Sequence, residues 1–357
     1  MYNIQVKKYE GKEVQWKELS TNSPHSNLSH LIEWNIILNK VYGYKSRYFV
    51  VEEDDKIFAA FPSFIVDSLL FGKRLISVPI MEYGGIMYSR FDREAFALLV
   101  EKVIEEGELE EVDYIELRSP SPAFIPILEK YGFVVNNNYN YCTFIINLNV
   151  DEYELWKNLD KSSVKWGINK AEKEGIVIQS GRDLNDIKAF YDIYLEVMKK
   201  HGSPPEPFSY FVKIYDSLYP ENLQFWFATI NGEKIASSVY FLKDNDIYWA
   251  YSVSKKEHLK CNPNNLLLWH VIKWGNKNGY ENLIMGRTRK DSGVYHFKKR
   301  WGGKYVPLPV YCYLMKKHKL PELDPDNGMY KILTSIWSKL PMSLSRWIGP
   351  KIRAGIG

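Results

Sequence analysis

The stretch with the most chemical potential in this 357-residue chain is SGVYHFKKRWGG, residues 292–303. Val294, Lys298 and Trp301 share one helical face by the three-and-four spacing. Lys298 would therefore aim an ammonium along a side that is otherwise apolar. An unpaired buried ammonium is costly, so such a lysine either finds an anion or serves chemistry. The competing reading is a lysine that snorkels to the edge of the fold. Lys299, Arg300 and Lys304 fall on the other side and read as a solvated charge cluster. No Ser–His or His–Asp pair is suggested by spacing, so no dedicated nucleophile is expected. None of the seven histidines sits in HExxH or HxH, and no catalytic metal is expected. Arg287 ends an apolar strand where it could meet an anionic donor or make a weak strand-end ion pair. His201, before Gly202, could line a cleft or simply end a helix. Asp291 and Asp113 are possible proton acceptors, and Asp291 or Ser292 could cap the helix that follows.

These residues need elements to hold them, and the chain supplies the same elements twice. IELRS…ILEKYGFV…YNYCTFIINL ends the first half, and LIMGRT…HFKKRWGGKY…LPVYCYLM ends the second. Arg118 matches Arg287, Gly132 matches Gly302 and Cys142 matches Cys312, in order and at nearly constant offset. Upstream, FVVEEDDKIFAAF parallels FATINGEKIASSVYF. The second copy reads as helices, then three strands, then the helix NLLLWHVIKWGNKNG, then strand–helix–strand. Asn231-Gly232 marks a hairpin because both turn positions need positive φ. That order is the α/β GNAT order (acyl-CoA N-acyltransferase-like), with mixed sheets. The reading is two tandem GNAT-like domains, 1–148 and 149–318, followed by a C-terminal helical tail, 319–357.

One copy serves as a control for the other. Aligning Gly132 with Gly302 sets Phe124, Leu128 and Tyr131 opposite Val294, Lys298 and Trp301. Leucine stands in the first copy where lysine stands in the second. A common GNAT donor is acyl-CoA, whose pyrophosphate needs a glycine-rich turn at a helix N-terminus. The matching loop here, KKEHLKCNPNN, contains no glycine.

The strings LIEWNII…VYGY, YGGIMY, KSSVKWGINKAEKEGIVI, EVMKKHGSPPEPFSYF, IYWAYSVS and DSGVYHFKKRWGG resemble the Fem family (FemAB/FemX-like) of peptidyltransferases. The likeness spans nearly the whole chain. It implies two GNAT-like domains and transfer of an amino acid from aminoacyl-tRNA to a cell-envelope precursor. It places Lys298 at the reaction centre near the donor ester, with Phe297 shaping the channel and the aromatic Trp301 three positions beyond Lys298. It implies that Tyr251 contacts the acceptor, that Tyr83, Gly84 and Gly85 lie at the first domain's side of a cleft, and that Trp34 marks the acceptor region. The chain departs from the family in three ways. Ile36 stands where a phosphate-holding lysine is known, Lys165 stands where arginine is frequent, and no helical arm is inserted.

Composition bounds the rest. The chain is 45% hydrophobic and 25% charged with a net charge of +4, so a packed core is expected, and the charge is compatible with an anionic substrate or a nucleic acid but demands neither. Three cysteines without a CxxC pair suggest a reducing, cytoplasmic setting. The N-terminus lacks an apolar signal core, and no stretch of about 18 apolar residues could span a membrane. The tail, over 327–353, mixes Trp, Ile and Leu with Lys and Arg. It could touch a membrane surface or pack on the first domain, and Pro341 and Pro350 are expected to break any long helix there. No tightly bound cofactor is expected, with aminoacyl-tRNA or acyl-CoA as co-substrate. The competing functions are acyl transfer from acyl-CoA to a surface polysaccharide or small molecule, and a non-enzymatic scaffold binding a partner or RNA.

Overall fold

The computed structural model describes residues 4–69, 71–320, 337 and 340–357. These fall into two compact units. One lies within Met1–Asn140, Leu308–Asp324 and Ile352–Gly357, the other within Tyr141–Pro307 and Pro325–Lys351. The α/β plan read from the sequence is present in both, with one difference at the seams. The strand that ends the first sequence copy, Tyr141–Asn147, belongs to the second unit's sheet, and the strand that ends the second copy, Val310–Leu314, belongs to the first. The copies in sequence and the units in space thus differ by one strand each. Periodicity could not show this, because a buried strand is apolar whichever sheet receives it.

In the second unit a sheet runs in the order 177–180, 223–230, 233–243, 246–254, 282–284, 141–147, 288–289, with 304–307 also paired to 141–147. The hairpin at Asn231-Gly232 has φ of 49° and 81°, as its residue types require. Helix Pro263–Lys277 buries Leu266, Leu267, Leu268, Val271 and Ile272 against this sheet. Each such side chain stabilises the fold by roughly 1.5–3 kcal/mol. The helix lies so close that a Cβ at Gly275 would come within 2.5 Å of Ile247 Cδ1.

Two irregularities in this sheet position the site. Strands Asp246–Ser254 and Asn282–Ile284 are parallel and pair only over 246–248 and 282–284; beyond Tyr248 and Ile284 they part. Between Val239 and Tyr240 the register slips, pairing Val239 with Tyr251 and Tyr240 with Trp249. Ala250 is the extra residue of a β-bulge. Because Val239 and Tyr240 face opposite ways, Trp249 and Tyr251 do too.

The first unit splits the same plan over two sheets, 4–8, 49–53, 56–61, 87–88 and 45–46, 64–66, 74–76, 114–118, 310–314, 134–135. Helix Arg93–Leu109 covers the core through Phe96, Leu99, Val100 and Val103, and is capped by Asp92, which accepts from Ala95 N at 3.0 Å. Here too a parallel pair, Arg74–Ile76 with Tyr114–Arg118, lies at the centre.

The tail forms a helix, Met342–Ile356, which continues through Pro350. The break expected at Pro350 does not occur, while Pro341 stands outside the helix, directly before it. Pro350 removes one backbone donor, and Pro341 lies just before the first turn, where its fixed φ is compatible with helix entry. Gly349 sits against Pro205, where a Cβ would come within 2.5 Å of the ring. At the far end, Tyr44 Oη donates to Ala354 O at 2.8 Å, and Arg74 donates to the carbonyls of Gly355 and Ile356 at 2.5 and 3.0 Å. Residues 327–336, 338 and 339, part of the stretch considered for membrane contact, lie outside the described residues.

Candidate active site

The parting of strands 246–254 and 282–284 leaves the end of the shorter strand without a neighbour on that side. Its next carbonyls, on Gly286 and Arg287, face the short helix Gly293–Lys299, and Lys298 Nζ donates to both, at 2.8 and 3.2 Å. Lys298 is 5% exposed. It therefore does not snorkel: its ammonium stays inside, where two carbonyl dipoles hold it. Its Nζ also lies 5.7 Å from the Trp249 ring centroid, a cation–π contact. Around it, Phe297 packs 6.3 Å from Trp249 and 6.0 Å from Trp301. Cys142 is close enough for the ammonium to oppose the upward push that burial gives its thiol. The helix face read from spacing holds at Lys298 and Trp301, but Val294, in the first turn of the helix, is exposed. Lys299, Arg300 and Lys304 are exposed.

Ser292, not Asp291, caps this helix: its Oγ accepts from Tyr295 N at 3.1 Å. Asp291 stands in the turn before it at φ 63°, exposed. Asp113 is absorbed in a turn of the first unit, where its Oδ2 accepts from Lys73 N at 3.1 Å.

Tyr251, sent to the other face by the bulge, lies in a cluster with Phe190, Tyr194 and Phe211 at centroid distances of 6.2, 5.9 and 5.3 Å. Burial pushes its hydroxyl well above the usual tyrosine value. Beneath the cluster, the carboxylate-bearing Glu206 is buried, with its backbone pinned by Tyr191 and Tyr194. Tyr251 and Lys298 thus sit on opposite faces of one strand rather than in one cluster.

A cavity of about 610 Å³ opens where strand 246–254, helix 184–200 and the start of helix 263–277 meet. Glu196, Lys199, Lys200, His201, Ser252, Ser254, Lys256 and Asn264 are among its walls. His201 is thus a cavity residue; burial first, and Lys200 second, lower its ring's proton affinity. Ser254 Oγ donates to Asn264 Oδ1 at 2.7 Å. Helix 263–277 starts from Asn262 in left-handed backbone with no side-chain cap, and Pro263 takes the first turn. Its N-terminal dipole is therefore not offset by a capping carboxylate, unlike that of helix 93–109. The glycine-free loop forms a 3₁₀ turn, Lys256–Cys261. His258 N and Asn262 N are spent inside it, on Lys255 O and Leu259 O. Lysines of the wall, rather than an open loop of amides, face an incoming anion.

The remaining sequence candidates separate. Trp301 is 1% exposed and belongs to the core. Arg287 is exposed and stacks its guanidinium 4.7 Å from the Tyr141 ring centroid. Lys165 donates to Lys157 O at 3.2 Å and lies 5.7 Å from the Trp156 ring, at the start of helix 166–173. In the first unit, Trp34 is 0% exposed, donates from Nε1 to Leu28 O at 2.8 Å, and lies in the core. Gly84 and Gly85 are needed for the fold itself. A Cβ at Gly84 would fall 2.3 Å from Ser77 Oγ, and Gly85 has φ 84°. Tyr83 beside them is half-buried. Sequence reasoning missed Trp249, the carbonyls under Lys298, and the cavity lysines. The signal for Trp249 was present in IYWAYSVS, but the bulge that aims it leaves no mark in an alternating strand.

Among the described residues no group of three His, Cys, Asp or Glu could hold a metal ion. No described helix is long and apolar enough to cross a membrane.

Residues 161–299 match the family model of the acetyltransferase (GNAT) domain. No curated protein matches the sequence. Among solved structures, FemX is similar with a TM-score of 0.70 at 14% identity, covering 92% of this chain and 100% of that one. L-PGS from Bacillus licheniformis is similar with a TM-score of 0.57 at 12% identity, covering 94% and 99%. A tandem GNAT protein from the clavulanic acid biosynthesis pathway reaches 0.55 at 9% identity, covering 87% and 98%. At such identities these likenesses establish the fold, a tandem, Fem-like GNAT architecture.

Proposed function

Taking that Fem-like GNAT fold as the premise, we propose that this chain is a transferase that moves an aminoacyl group from aminoacyl-tRNA to an amine of a cell-envelope precursor. The observation that carries the reading is Lys298, a buried ammonium held at the parting of two parallel strands, where the first unit has only leucine. The substrate amine attacks the ester carbonyl carbon. As the C–N bond forms, the carbonyl electron pair moves onto oxygen, and the Lys298 ammonium stabilises that charge in a site of low dielectric. Collapse restores the carbonyl and breaks the C–O bond, and the leaving ribose oxygen takes the proton that the amine gives up. No covalent enzyme intermediate is required; placing the two substrates supplies much of the acceleration. The cavity with Lys199, Lys200 and Lys256 is suited to the phosphodiesters of such a donor.

The resemblance of the sequence to the Fem family supports an envelope acceptor, and Ile36, 47% exposed on the first unit's surface, argues that this acceptor is held without a lysine at that position. Helix 342–356 carries Arg346, Lys351 and Arg353 and no acid, and exposes Leu344 and Trp347. That face suits contact with an anionic membrane surface, where a lipid-linked precursor would be found.

The second reading is acyl transfer from acyl-CoA. The GNAT domain match over 161–299 favours it; the glycine-free loop and its internally spent amides count against it. The two separate in one experiment. Purified protein is given labelled aminoacyl-tRNA or labelled acetyl-CoA, each with envelope precursors. Label passing from aminoacyl-tRNA to an amine product is the expected result. Transfer from acetyl-CoA alone would replace this reading with the second. Transfer from neither, with retained RNA binding through Lys299, Arg300 and Lys304, would leave a binding scaffold.

A further inference from the structure

Beside the parting strands the Lys298 ammonium lies over the ring of a second buried donor, Trp249. Trp249 is 9% exposed, and its indole Nε1–H has no hydrogen-bond acceptor among the described residues. A buried N–H without an acceptor is destabilising, and native structures keep few of them without a reason. This one is not deep in featureless core. It lies on the strand just before the bulge, its ring centroid 5.7 Å from Lys298 Nζ and 6.3 Å from the Phe297 ring. Bulges commonly re-aim side chains at reaction sites. The indoles of Trp301 and Trp337 also lack an acceptor among the described residues; Trp249 is distinguished by the Lys298 ammonium over its ring.

From this geometry we infer that Trp249 is a second catalytic donor, its indole N–H acting with the Lys298 ammonium on the carbonyl oxygen of the donor ester. The inference rests on the transfer reaction proposed above. When the amine nitrogen bonds to the carbonyl carbon, the displaced electron pair on oxygen accepts from both donors. When the C–O bond breaks, both are released. The two differ in kind. Lys298 brings charge, already anchored by the carbonyls of Gly286 and Arg287. Trp249 brings a rigid neutral donor that is poorly satisfied until substrate arrives. A donor that the fold already holds in place is preorganised for a developing negative charge. The ligand class follows: an acyl ester or thioester whose carbonyl oxygen is presented to the two donors.

The test uses Trp249→Phe in the full chain, which keeps an aromatic ring and removes the N–H. In single-turnover transfer from aminoacyl-tRNA, the rate is expected to fall about 10- to 100-fold, with donor KM changed by less than about threefold. Thermal stability is expected to hold or rise, since an unsatisfied buried donor is gone. That opposed pair of signs is what a packing role would not give. Trp337→Phe, which removes another buried indole N–H without a described acceptor, is expected to leave the rate unchanged. In ¹⁵N-tryptophan spectra, the Trp249 Nε1–H signal, assigned by its loss in Trp249→Phe, should move downfield on saturation with a non-hydrolysable 3′-amide analogue of aminoacyl-adenosine. A Trp249→Phe rate within twofold of wild type overturns the inference while leaving the transferase reading in place, and so does a rate loss that merely tracks a loss of stability. Absence of transfer by the wild-type chain overturns the transferase reading and this assignment with it.

Discussion

The two units carry the same corner, a strand end followed by a short helix, and use it in opposite ways. In the first, Arg118 ends the strand and turns inward. It pairs with Glu116 at 2.8 Å and donates to Met81 O at 3.0 Å, while its backbone N–H goes to Ser77 Oγ. The helix that follows presents Leu128, 1% exposed, to the core. In the second, the matching Arg287 turns outward over Tyr141, and the helix presents Lys298 to the strand end. The first corner consumes its own polar groups. The second keeps an ammonium beside an unsatisfied indole. Duplication lets one copy keep an apolar contact that the other exchanges for a charge, and the lesson is that the exchanged residue is the informative one.

The comparison can be broken in graded steps. The largest effect is expected from Leu128→Lys, which forces the second unit's residue into the first. Leu128 lies in the apolar core of that unit, so a charge buried there should cost about 3–5 kcal/mol and unfold much of the first unit, as read by urea denaturation. Arg118→Met should follow at about 3 kcal/mol, because it strands the buried Glu116 carboxylate; Arg287→Met, on the surface, should stay within about 0.5 kcal/mol. A similar stability for the two arginine variants would contradict the contrast drawn here.

The first unit's charges act as braces, and they titrate accordingly. Lys73, and then Arg47, hold the Glu110 carboxylate down to about 2, against an ordinary 4.5. The folded value is the lower, so this contribution is present above about pH 5 and fades as pH falls toward 2. Glu110→Gln should lower stability by roughly 1–2 kcal/mol at pH 7, allowing for its partial exposure to solvent, and by much less at pH 3. An equal loss at both pH values would show that the carboxylate's charge is not the cause. The smallest effects belong to the cavity: Lys200→Ala and Lys256→Ala should each raise donor KM about three- to tenfold, leave kcat unchanged and flatten the salt dependence. A fall in kcat instead would move these lysines into the chemistry.

The duplicated α/β plan was legible in the sequence because hairpin types, helix ends and the paired Arg118/Arg287 and Gly132/Gly302 positions are local signals. Both glycines indeed close their short helices at positive φ, 89° and 77°. Lys298 was legible through the first copy, as a charge standing where Leu128 does. Three things were not legible. The exchange of the last strands depends on which sheet accepts an apolar segment. The bulge that separates Trp249 from Tyr251 depends on cross-strand register. The carbonyls that hold Lys298 are backbone groups, which have no residue type to read. Trp34 and Gly84 show the limit of a family likeness: it marks a position without saying whether packing or substrate contact placed the residue there, and the structure shows both in packed surroundings.

The account stands most directly on Lys298→Met, which keeps the length of the side chain and removes its charge. Loss of the donor to Gly286 and Arg287 should cost a measurable but tolerable amount of stability, about 1–3 kcal/mol. In the folded variant, single-turnover transfer from aminoacyl-tRNA should fall about 100- to 1000-fold while donor affinity changes little. A folded Lys298→Met chain that transfers at the wild-type rate would show that this ammonium only ties the strand end, and would remove the central claim.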